Sequence, residues 1–407
     1  MKRTIFIVGG GIEAVYGIRL AKEMGLHVMV SDRDPEAPGV ALADAAFLAD
    51  TYDPVANLKL AKRYHMTVKT IHGVMSMASD VPFTVATVAD ALGLPGIPLD
   101  VARLSMNKLA MKEKFVADGI PVPWFSSLES ADHLCRVVAM KGYPLVVKPV
   151  DSRGARGVIR LTPGVDLNWA YMFSRSFSPT GNVMVEEFLS GPQISTESMI
   201  LNGVAWTPGF ADRNYEYLER YAPYIIENGG DLPSYLSEEE QGMVRDLVER
   251  AARSLGVKTG VVKGDVVVSE GNPYIIELAA RLSGGYYCTH DIPLNTGVRF
   301  VEHAIRLALG EQPPPLALQP QYQMNVAQRY LFPKPGRVLR ISNVADVAGH
   351  PGIAFCEIQV KAGDIIHPID CHPARAGTVI ATGTNREEAI MRASRAVNTI
   401  SIETAPC

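Results

Sequence analysis

The sequence predicts an α/β protein of several lobes: a parallel α/β lobe, a larger strand-rich region and a small α+β unit. Strand-like apolar runs alternate with helical stretches as far as about Pro98. Two β-rich stretches, from Pro121 to about Phe210 and from Val261 to Arg281, surround a long helical stretch. The run 312–315 is typical of a linker, because consecutive prolines cannot continue a helix or a sheet.

Composition limits the function classes. At 407 residues the chain is too long for one ordinary core, and 47% hydrophobic with 20% charged residues is typical of a folded globular protein. The net charge of -4 gives no general attraction to nucleic acid or to an anionic membrane, so neither is expected as a partner. The scattered cysteines, without C-x-x-C spacing, favour reduced thiols and a cytoplasmic location. They are Cys135, Cys288, Cys356, Cys371 and Cys407.

Individual elements follow from apolar runs and from capping residues. A helix is predicted from Asp100 to Gly119, because a glycine followed by Pro121 and Pro123 is a typical helix stop. A further helix is expected to begin near Arg386. The other predicted elements are strands at 5–8, 28–31 and 68–71 and helices at 12–24, 82–92 and 237–255.

The first strand leads into a glycine motif. Gly9, Gly11 and Ala14 fit G-x-G-x-x-G/A, and Asp32 follows at the distance of a ribose-binding acid, which favours a dinucleotide enzyme. The same turn places backbone N–H groups at a helix N-terminus, which suits an anionic part of a substrate. Packing of the turn is the alternative, with Asp32 then an acid at a strand end. The candidate substrate residues here are Gly10, Gly11 and Glu13.

The segment YPLVVKPVDSRGARGV predicts a strand and a glycine loop. Lys148 on the strand offers a point charge to phosphate oxygens, and the loop around Gly154 and Gly157 exposes backbone N–H groups. The P-loop pattern G-x-x-x-x-G-K-[ST] does not fit this loop. A flexible turn with solvated arginines is the alternative.

A second segment, VMVEEFLSGPQISTES, predicts a strand that ends in two acids. Adenine requires an acceptor for its amino group and a neighbouring backbone donor in an apolar slot. A hinge from Glu186 to Leu189 could supply both. A strand end with solvated glutamates is the alternative.

The segment GDVVVSEGNPYIIELAARLSGG predicts a hairpin with its turn at 269–273. Pairing Val268 with Tyr274 places Asp265 directly opposite Glu277. Two carboxylates this close repel each other unless a cation lies between them, and oxygen ligands suit a Mg²⁺ that bridges nucleotide phosphates. A hairpin whose acids face water is the alternative.

Arg281 follows the hairpin and suits the developing charge on a transferred phosphoryl group. Backbone donors of Ser283, Gly284 and Gly285 could approach the same site. Tyrosines combine an apolar face with a polar tip, as a small-molecule pocket requires, although packing under a surface loop is the alternative. The tyrosines considered are Tyr215, Tyr217, Tyr221, Tyr224, Tyr235, Tyr286 and Tyr287.

Together these segments resemble the ATP-grasp superfamily over essentially the whole chain. The resemblance rests on NKLAMKEKFVADGIPVPWF with Lys108, YPLVVKPVDSRGARGV with Lys148, MVEEFLSGPQIS and the hairpin segment, in this order and spacing. The C-terminal unit, with VKAGD, ARAGTVIATG and NREEAI, is most similar to the amino-acid ligase type. The implied fold is an N-terminal Rossmann-like lobe (1–107), an ATP-grasp domain (108–310, with an ATP lid at about 125–190) and a C-terminal amino-acid-ligase-like domain (311–407).

The resemblance implies an ATP-dependent carboxylate–amine ligase. It would form an amide through an acyl phosphate and release ADP and phosphate, with ATP and Mg²⁺ (or Mn²⁺) as cofactors and a small carboxylate and an amine as substrates. A carboxylase of the aminoimidazole ribonucleotide type and a noncatalytic nucleotide-binding protein remain alternatives. An NAD-binding oxidoreductase would leave Lys148 and the hairpin without a role. Because related enzymes are often dimers, a homodimer is implied.

The resemblance also gives each candidate residue a role. Arg281 would be catalytic, and Asp265 and Glu277 would bind the metal, although Asp265 replaces a commoner glutamate. Gln193 stands where many members have a ribose-binding glutamate. The candidate ATP-binding residues are Lys108, Lys148, Ser152, Arg153, Gly154, Ala155, Arg156, Gly157, Glu186, Glu187, Phe188, Leu189 and Gln193. The candidate substrate residues beyond the first lobe are Glu227, Ser283, Gly284, Gly285 and Tyr286.

Overall fold

The structure, a computed structural model, describes residues 2–406, so Cys407 lies outside the described residues. The first lobe holds a four-stranded sheet of order β3-β2-β1-β4 in which every pairing is parallel, as the sequence predicts. Three of its strands are largely buried between helices, and the edge strand Ala45–Leu48 is partly exposed. Its elements are β1 Thr4–Val8, α1 Val15–Glu23, β2 His27–Asp32, β3 Ala45–Leu48, α2 Pro54–Thr67, β4 Gly73–Met75 and α3 Pro82–Ala91.

Two predicted elements are wrong in position. The strand expected at 68–71 is instead β4, because the run begins at the end of α2 with Val68 exposed. The helix expected from 100 to 119 is two helices, α4 Leu99–Leu104 and α5 Lys108–Ala117. The side chain of Asn107 accepts a hydrogen bond from the N–H of Ala110 and so starts a new helix. This break places Lys108 at the first position of α5.

Residues 125–187 form a separate antiparallel sheet of order β5-β8-β6-β7. In its register Lys148 pairs with Met184 and Val146 pairs with Glu186, so Lys148 and Glu186 are diagonal neighbours on one face. The sheet thus brings a lysine and a glutamate of two predicted motifs together. The elements are β5 Phe125–Leu128, α6 Ala131–Lys141, β6 Leu145–Pro149, β7 Ile159–Leu161, α7 Leu167–Ser176 and β8 Val183–Glu187.

An eight-stranded antiparallel sheet of order β13-β12-β9-β10-β11-β14-β18-β16 forms the centre of the chain. Its long helix α8 packs on β13 and confirms the helix predicted at 237–255. Ser237 with Glu240 forms a capping box at its start. The central elements are β9 Gln193–Leu201, β10 Val204–Arg213, β11 Gly230–Leu232, α8 Glu238–Leu255, β12 Gly260–Ser269, β13 Asn272–Ala279, α9 Ile292–Thr296 and α10 Phe300–Ala308.

The C-terminal region continues the central sheet through three of its strands, although a proline run precedes it. A small sheet of order β17-β15-β19 completes it. No helix among residues 2–406 combines the length and apolar character needed to cross a membrane. The elements are β14 Asn325–Tyr330, β15 Gly336–Ser342, α11 Val344–Ala348, β16 Ile353–Ile358, β17 Ile365–Ile366, β18 Gly377–Gly383, α12 Arg386–Thr399 and β19 Ser401–Ala405.

Gly191 lies just before β9, where the chain leaves the sheet of residues 125–187. Its φ is +133°, and a Cβ atom there would lie 2.0 Å from the carbonyl oxygen of Val268. We expect Gly191→Ala to lower the free energy of unfolding by about 2–3 kcal/mol, because both the backbone conformation and this contact oppose a side chain.

Gly242→Ala is the matched control, since Gly242 lies in α8 with no atom within 4 Å of its Cβ position. It should raise the free energy of unfolding by up to about 1 kcal/mol. Urea denaturation followed by circular dichroism checks both variants. Equal midpoints for the two would contradict the expectation.

Candidate active site

A cavity of about 1360 Å³ lies between the first lobe, the sheet of residues 125–187 and the central sheet. It collects all the predicted site residues except Gly10 and Gly157. The predicted residues that line it are Gly11, Glu13, Lys108, Lys148, Ser152, Arg153, Gly154, Ala155, Arg156, Glu186, Glu187, Phe188, Leu189, Gln193, Glu227, Asp265, Glu277, Arg281, Ser283, Gly284, Gly285 and Tyr286.

Two predicted glycines lie outside the cavity wall and serve packing. The N–H of Gly10 donates to Oδ2 of Asp32 at 2.7 Å, which makes Asp32 an acid that holds the glycine turn. Gly157 is buried with φ +73°, and a Cβ atom there would lie 2.9 Å from Cγ of Pro149. Both residues therefore allow close packing.

The hairpin places Asp265 directly opposite Glu277, as the sequence predicts, but by a different register. Val268 pairs with Pro273 and not with Tyr274, and the turn is shorter than expected, since the strands end at Ser269 and restart at Asn272. A bulge between Asp265 and Val266 shifts the register by one residue and restores the predicted pairing of the two acids.

Cations compensate both acids. One oxygen of Asp265, Oδ1, contacts NH1 of Arg213 at 2.9 Å and also binds Lys263. Oε1 of Glu277 lies 3.2 Å from Nζ of Lys108. Burial alone would raise the pKa of Asp265, but Arg213 and Lys263 outweigh it and hold that pKa well below its usual range. Asp265 therefore stays ionised.

The donor set fits a magnesium ion that arrives with a nucleotide. Within residues 2–406 no cluster of three or more His, Cys, Asp or Glu side chains could hold a metal by itself. Among the same residues, every hydrogen bond to the Asp265 carboxylate falls on Oδ1, and the Glu277 carboxylate accepts none. Mg²⁺ is commonly bound by one or two carboxylates together with substrate phosphates and water. The opposed acids meet that requirement.

Glu186 is enclosed by two lysines, one of which the sequence did not reveal as functional. Its carboxylate pairs with Lys148 on β6 and lies 3.1 Å from Nζ of Lys112 on α5. Burial raises the pKa of Glu186, but the two lysines outweigh it and lower that pKa, while burial lowers the pKa of Lys112 to about 8. Lys112 lies four residues after Lys108 on one helix face, which is the signal that could have identified it.

Because Glu186 is paired with two lysines, the Glu186–Leu189 hinge would bind adenine differently from the expectation. The Glu186 carboxylate is engaged by lysines, and the N–H groups of Glu187 and Phe188 already donate to Trp124 and Pro144. Among the described residues no acceptor is found for the N–H of Leu189. That group is the hinge donor that remains for an adenine ring.

The loop at 152–156 is held from three directions. The Arg153 guanidinium lies 3.7 Å from the ring centre of Tyr52 in the first lobe. The N–H of His372 donates to the carbonyl of Gly154 at 3.0 Å, and Lys108 donates to the carbonyl of Ser152. The C-terminal region thus contributes directly to the cavity, which the motifs did not indicate.

Arg281 is positioned by an acid from the first lobe. Its Nε lies 3.1 Å from Oδ1 of Asp80. Burial disfavours the charged guanidinium, but Asp80 and Glu277 more than offset it and raise the pKa of Arg281. The arginine therefore carries a charge that is held in place inside the cavity.

The turn after Arg281 differs in detail from the expectation. The N–H of Ser283 donates to both carboxylate oxygens of Glu197, at 3.1 and 3.3 Å, so it is not free for a substrate. Burial raises the pKa of Glu197 to about 7. At Gly284 a Cβ atom would lie 2.7 Å from Oε2 of Glu13, so the glycine allows this first-lobe acid to approach the turn.

Glu227, expected to pair with a substrate ammonium, is already bound by protein cations. Arg213 donates to Oε2 through Nε at 2.6 Å, and Arg375 lies 3.7 Å from Oε1. Of the tyrosines considered, those that line the cavity are Tyr215, Tyr286 and Tyr287. The others pack elsewhere or lie at the surface: Tyr217, Tyr221, Tyr224 and Tyr235.

Comparisons with known proteins agree with this architecture. A family model described as ATP-grasp domain matches residues 105–285, and one described as L-amino acid ligase C-terminal domain 2 matches residues 329–405. A D-alanine–D-alanine ligase from Desulforudis audaxviator is 30% identical over 323 residues, which cover 76% of this chain and 99% of that protein. The chain belongs to the ATP-grasp family. It is an enzyme, an ATP-dependent ligase.

Further relatives match the chain over different shares of its length. A formate-dependent phosphoribosylglycinamide formyltransferase from Burkholderia thailandensis is 26% identical over 96% of this chain and 93% of its own length. Two further D-alanine–D-alanine ligases are matched over only 64% of their own length. The structure of an L-amino acid ligase from Bacillus licheniformis superimposes with a TM-score of 0.83 over 99% of both chains at 18% identity, which shows the shared fold.

Proposed function

We propose that this protein is an ATP- and Mg²⁺-dependent carboxylate–amine ligase that forms an amide bond and releases ADP and phosphate. The observation that carries the proposal is the joint placement of the Asp265–Glu277 pair, Arg281 and two lysines in one cavity. Phosphates need fixed positive charge, a metal-bridging acid pair and a cation at the reacting centre. Residues from distant parts of the chain supply all three in one cavity.

In the proposed reaction, a substrate carboxylate attacks the γ-phosphate of ATP to form an acyl phosphate, and an amine then displaces phosphate. Lys108 and Lys148 hold the nucleotide phosphates, and the 152–156 loop covers them. Asp265 and Glu277 would hold Mg²⁺ through carboxylate oxygens, and the ion would offset phosphate charge when bound. Arg281 stabilises negative charge on the acyl phosphate and on the tetrahedral intermediate.

The substrates that fit this proposal are small molecules, since the cavity is enclosed by lobes on several sides. The similarity to an L-amino acid ligase supports an amino acid as one of them. As further parts of the proposal, the protein acts in the cytoplasm and as a homodimer, with units at 1–107, 108–310 and 311–407. Size-exclusion chromatography with light scattering tests the dimer.

The proposal is tested by phosphate release with Mg²⁺ and ATP across amino acids and other carboxylates, alone and in pairs. We expect ADP and phosphate to appear together with one acid and one amine, and EDTA to abolish release. Mg²⁺ should bind at least about tenfold more weakly without nucleotide, because the acid pair supplies only part of its ligand set. Tight Mg²⁺ binding to the free protein would contradict this expectation.

Two outcomes of this assay would favour a different function. Phosphate release that requires aminoimidazole ribonucleotide and bicarbonate, with no amide product, would assign the carboxylase reaction instead. ATP binding without release for any substrate pair would favour a noncatalytic nucleotide-binding protein. In either case Asp265→Asn should weaken Mg²⁺-dependent ATP binding, because it removes a charged oxygen ligand.

A further inference from the structure

A carboxylate without a protein partner lines the cavity on the wall that follows Gly285. Asp291 ends a π-helical turn, Tyr287–Asp291, that leads directly into α9. The residue is 2% exposed, and its Oδ1 is buried without a hydrogen-bond partner among the described residues. A buried acid in this state is costly unless something outside the chain satisfies it.

The surroundings of Asp291 are acidic. Burial raises its pKa, and the two charged groups that reinforce the effect are also acids, Asp231 on β11 and Glu227. Asp231 is bound by Arg329 at 2.8 Å, so that arginine is already paired. Within residues 2–406, no lysine, arginine or histidine forms a salt bridge with Asp291. Among the described residues, Asp291 is therefore a buried acid of the cavity wall that no protein cation compensates.

Three other acids of the cavity contrast with Asp291, because protein cations already bind them. Glu186 is held by two lysines, and Asp80 by Arg281. Glu227, the acid that the family resemblance suggested for a substrate ammonium, is bound by two arginines. A ligand that approached Glu227 would have to displace those arginines, whereas at Asp291 it would have no protein cation to displace.

The position of Asp291 suits a substrate that reaches the reacting centre. The hydroxyl of Tyr287 donates to the carbonyl of Ser195 at 3.0 Å, and the Ser195 hydroxyl donates to Asp265 at 3.3 Å. On the other side, Gln328 donates to the carbonyl of Gly285 at 2.7 Å, in the turn that follows Arg281. Asp291 lines the same cavity as the groups proposed to handle the phosphate and the carboxylate.

We propose that Asp291 binds the positively charged amino group of the substrate and so selects amine-bearing carboxylic acids. The proposal rests on the proposed ligase function and adds the residue that recognises this class. A charge-assisted hydrogen bond to a carboxylate as buried as Asp291 is among the strong polar contacts in proteins. An acid that lacks only the amino group leaves Asp291 unsatisfied and is rejected.

The test compares substrates that differ by the amino group alone. Calorimetric titrations use protein saturated with ADP and Mg²⁺, with L-alanine, L-leucine and L-phenylalanine against propionate, 4-methylpentanoate and 3-phenylpropionate. We expect at least one amino acid to bind about 30-fold more tightly than its partner acid, and Asp291→Asn to remove this preference while binding of the partner acid changes less than about threefold. Retention of the preference in Asp291→Asn, or no preference in any pair for the unaltered protein, overturns the proposal.

Matched variants separate recognition from folding. Asp246→Asn removes an exposed charge on α8 and should leave the preference unchanged. Asp291→Glu keeps the charge and should keep the preference for the amine, which a purely structural role would not predict. The titrations do not need turnover. If the preference depends on Asp291 but no phosphate is released, only the ligase function is rejected. If phosphate is released but the preference does not depend on Asp291, only the role of Asp291 is rejected.

Discussion

Replacing Arg281 by alanine is expected to lower the turnover number at least about 100-fold and to leave the affinity for ATP within about threefold. Asp80 holds the guanidinium inside the cavity, and contacts to developing negative charge contribute about 3 kcal/mol to catalysis. Phosphate-release kinetics give the turnover number, and calorimetry with ADP gives the nucleotide affinity. Loss of nucleotide binding together with turnover would indicate a phosphate-binding role instead.

Two variants control for this experiment. Arg253→Ala removes a guanidinium on α8 that is 64% exposed, and it should leave turnover unchanged. Asp80→Asn keeps Arg281 but removes the ion pair that orients it. We expect a smaller decrease in turnover than for Arg281→Ala, about tenfold, because positioning is lost while the charge remains. Unchanged turnover in Arg281→Ala would remove its catalytic role.

Replacing Glu186 by glutamine is expected to lower the free energy of unfolding by about 3–5 kcal/mol and to abolish tight ATP binding. The change leaves Lys112 and Lys148 facing each other in a buried site without a counter-charge. Lys148 would then no longer be held on the cavity wall. Chemical denaturation followed by circular dichroism, together with calorimetry with ATP, measures both effects.

The control is a partly exposed glutamate–arginine pair. Glu249→Gln breaks the pair with Arg253 on α8, which is worth about 1 kcal/mol or less. If Glu249→Gln and Glu186→Gln lowered the free energy of unfolding by similar amounts, burial would not be the reason that loss of Glu186 is costly. If Glu186→Gln destabilised the protein but left the affinity for ATP unchanged, Lys112 and Lys148 would have a structural role only.

Local signals in the sequence predicted most of the elements that shape the site. The helix predicted at 237–255 and the parallel strands around the glycine turn depend on short-range patterns and are confirmed. The pairing of Asp265 with Glu277 is also confirmed. It arises because a turn shorter than expected and a bulge next to Asp265 offset each other. A two-residue turn and a bulge are set by packing of the whole sheet, which a single strand pattern does not contain.

The residues that sequence reasoning missed depend on contacts between distant segments. The ion pairs of Arg213 with Glu227 and Asp265 join parts of the chain that no motif connects. Asp291 lies in a segment with no local feature that separates a buried, unpaired acid from a solvated one. Lys112 is the exception, because its spacing from Lys108 was available in the sequence. Charge pairing, rather than secondary structure, was therefore the least predictable part of the site.

The loop at 152–156 has a consequence for synthesis of the chain. It contacts Tyr52, which leaves the ribosome early, and His372, which leaves it late. Until the later segment has emerged, the carbonyl of Gly154 lacks the N–H that binds it in the folded protein. The loop can therefore take the position it has in the folded protein only after His372 has left the ribosome.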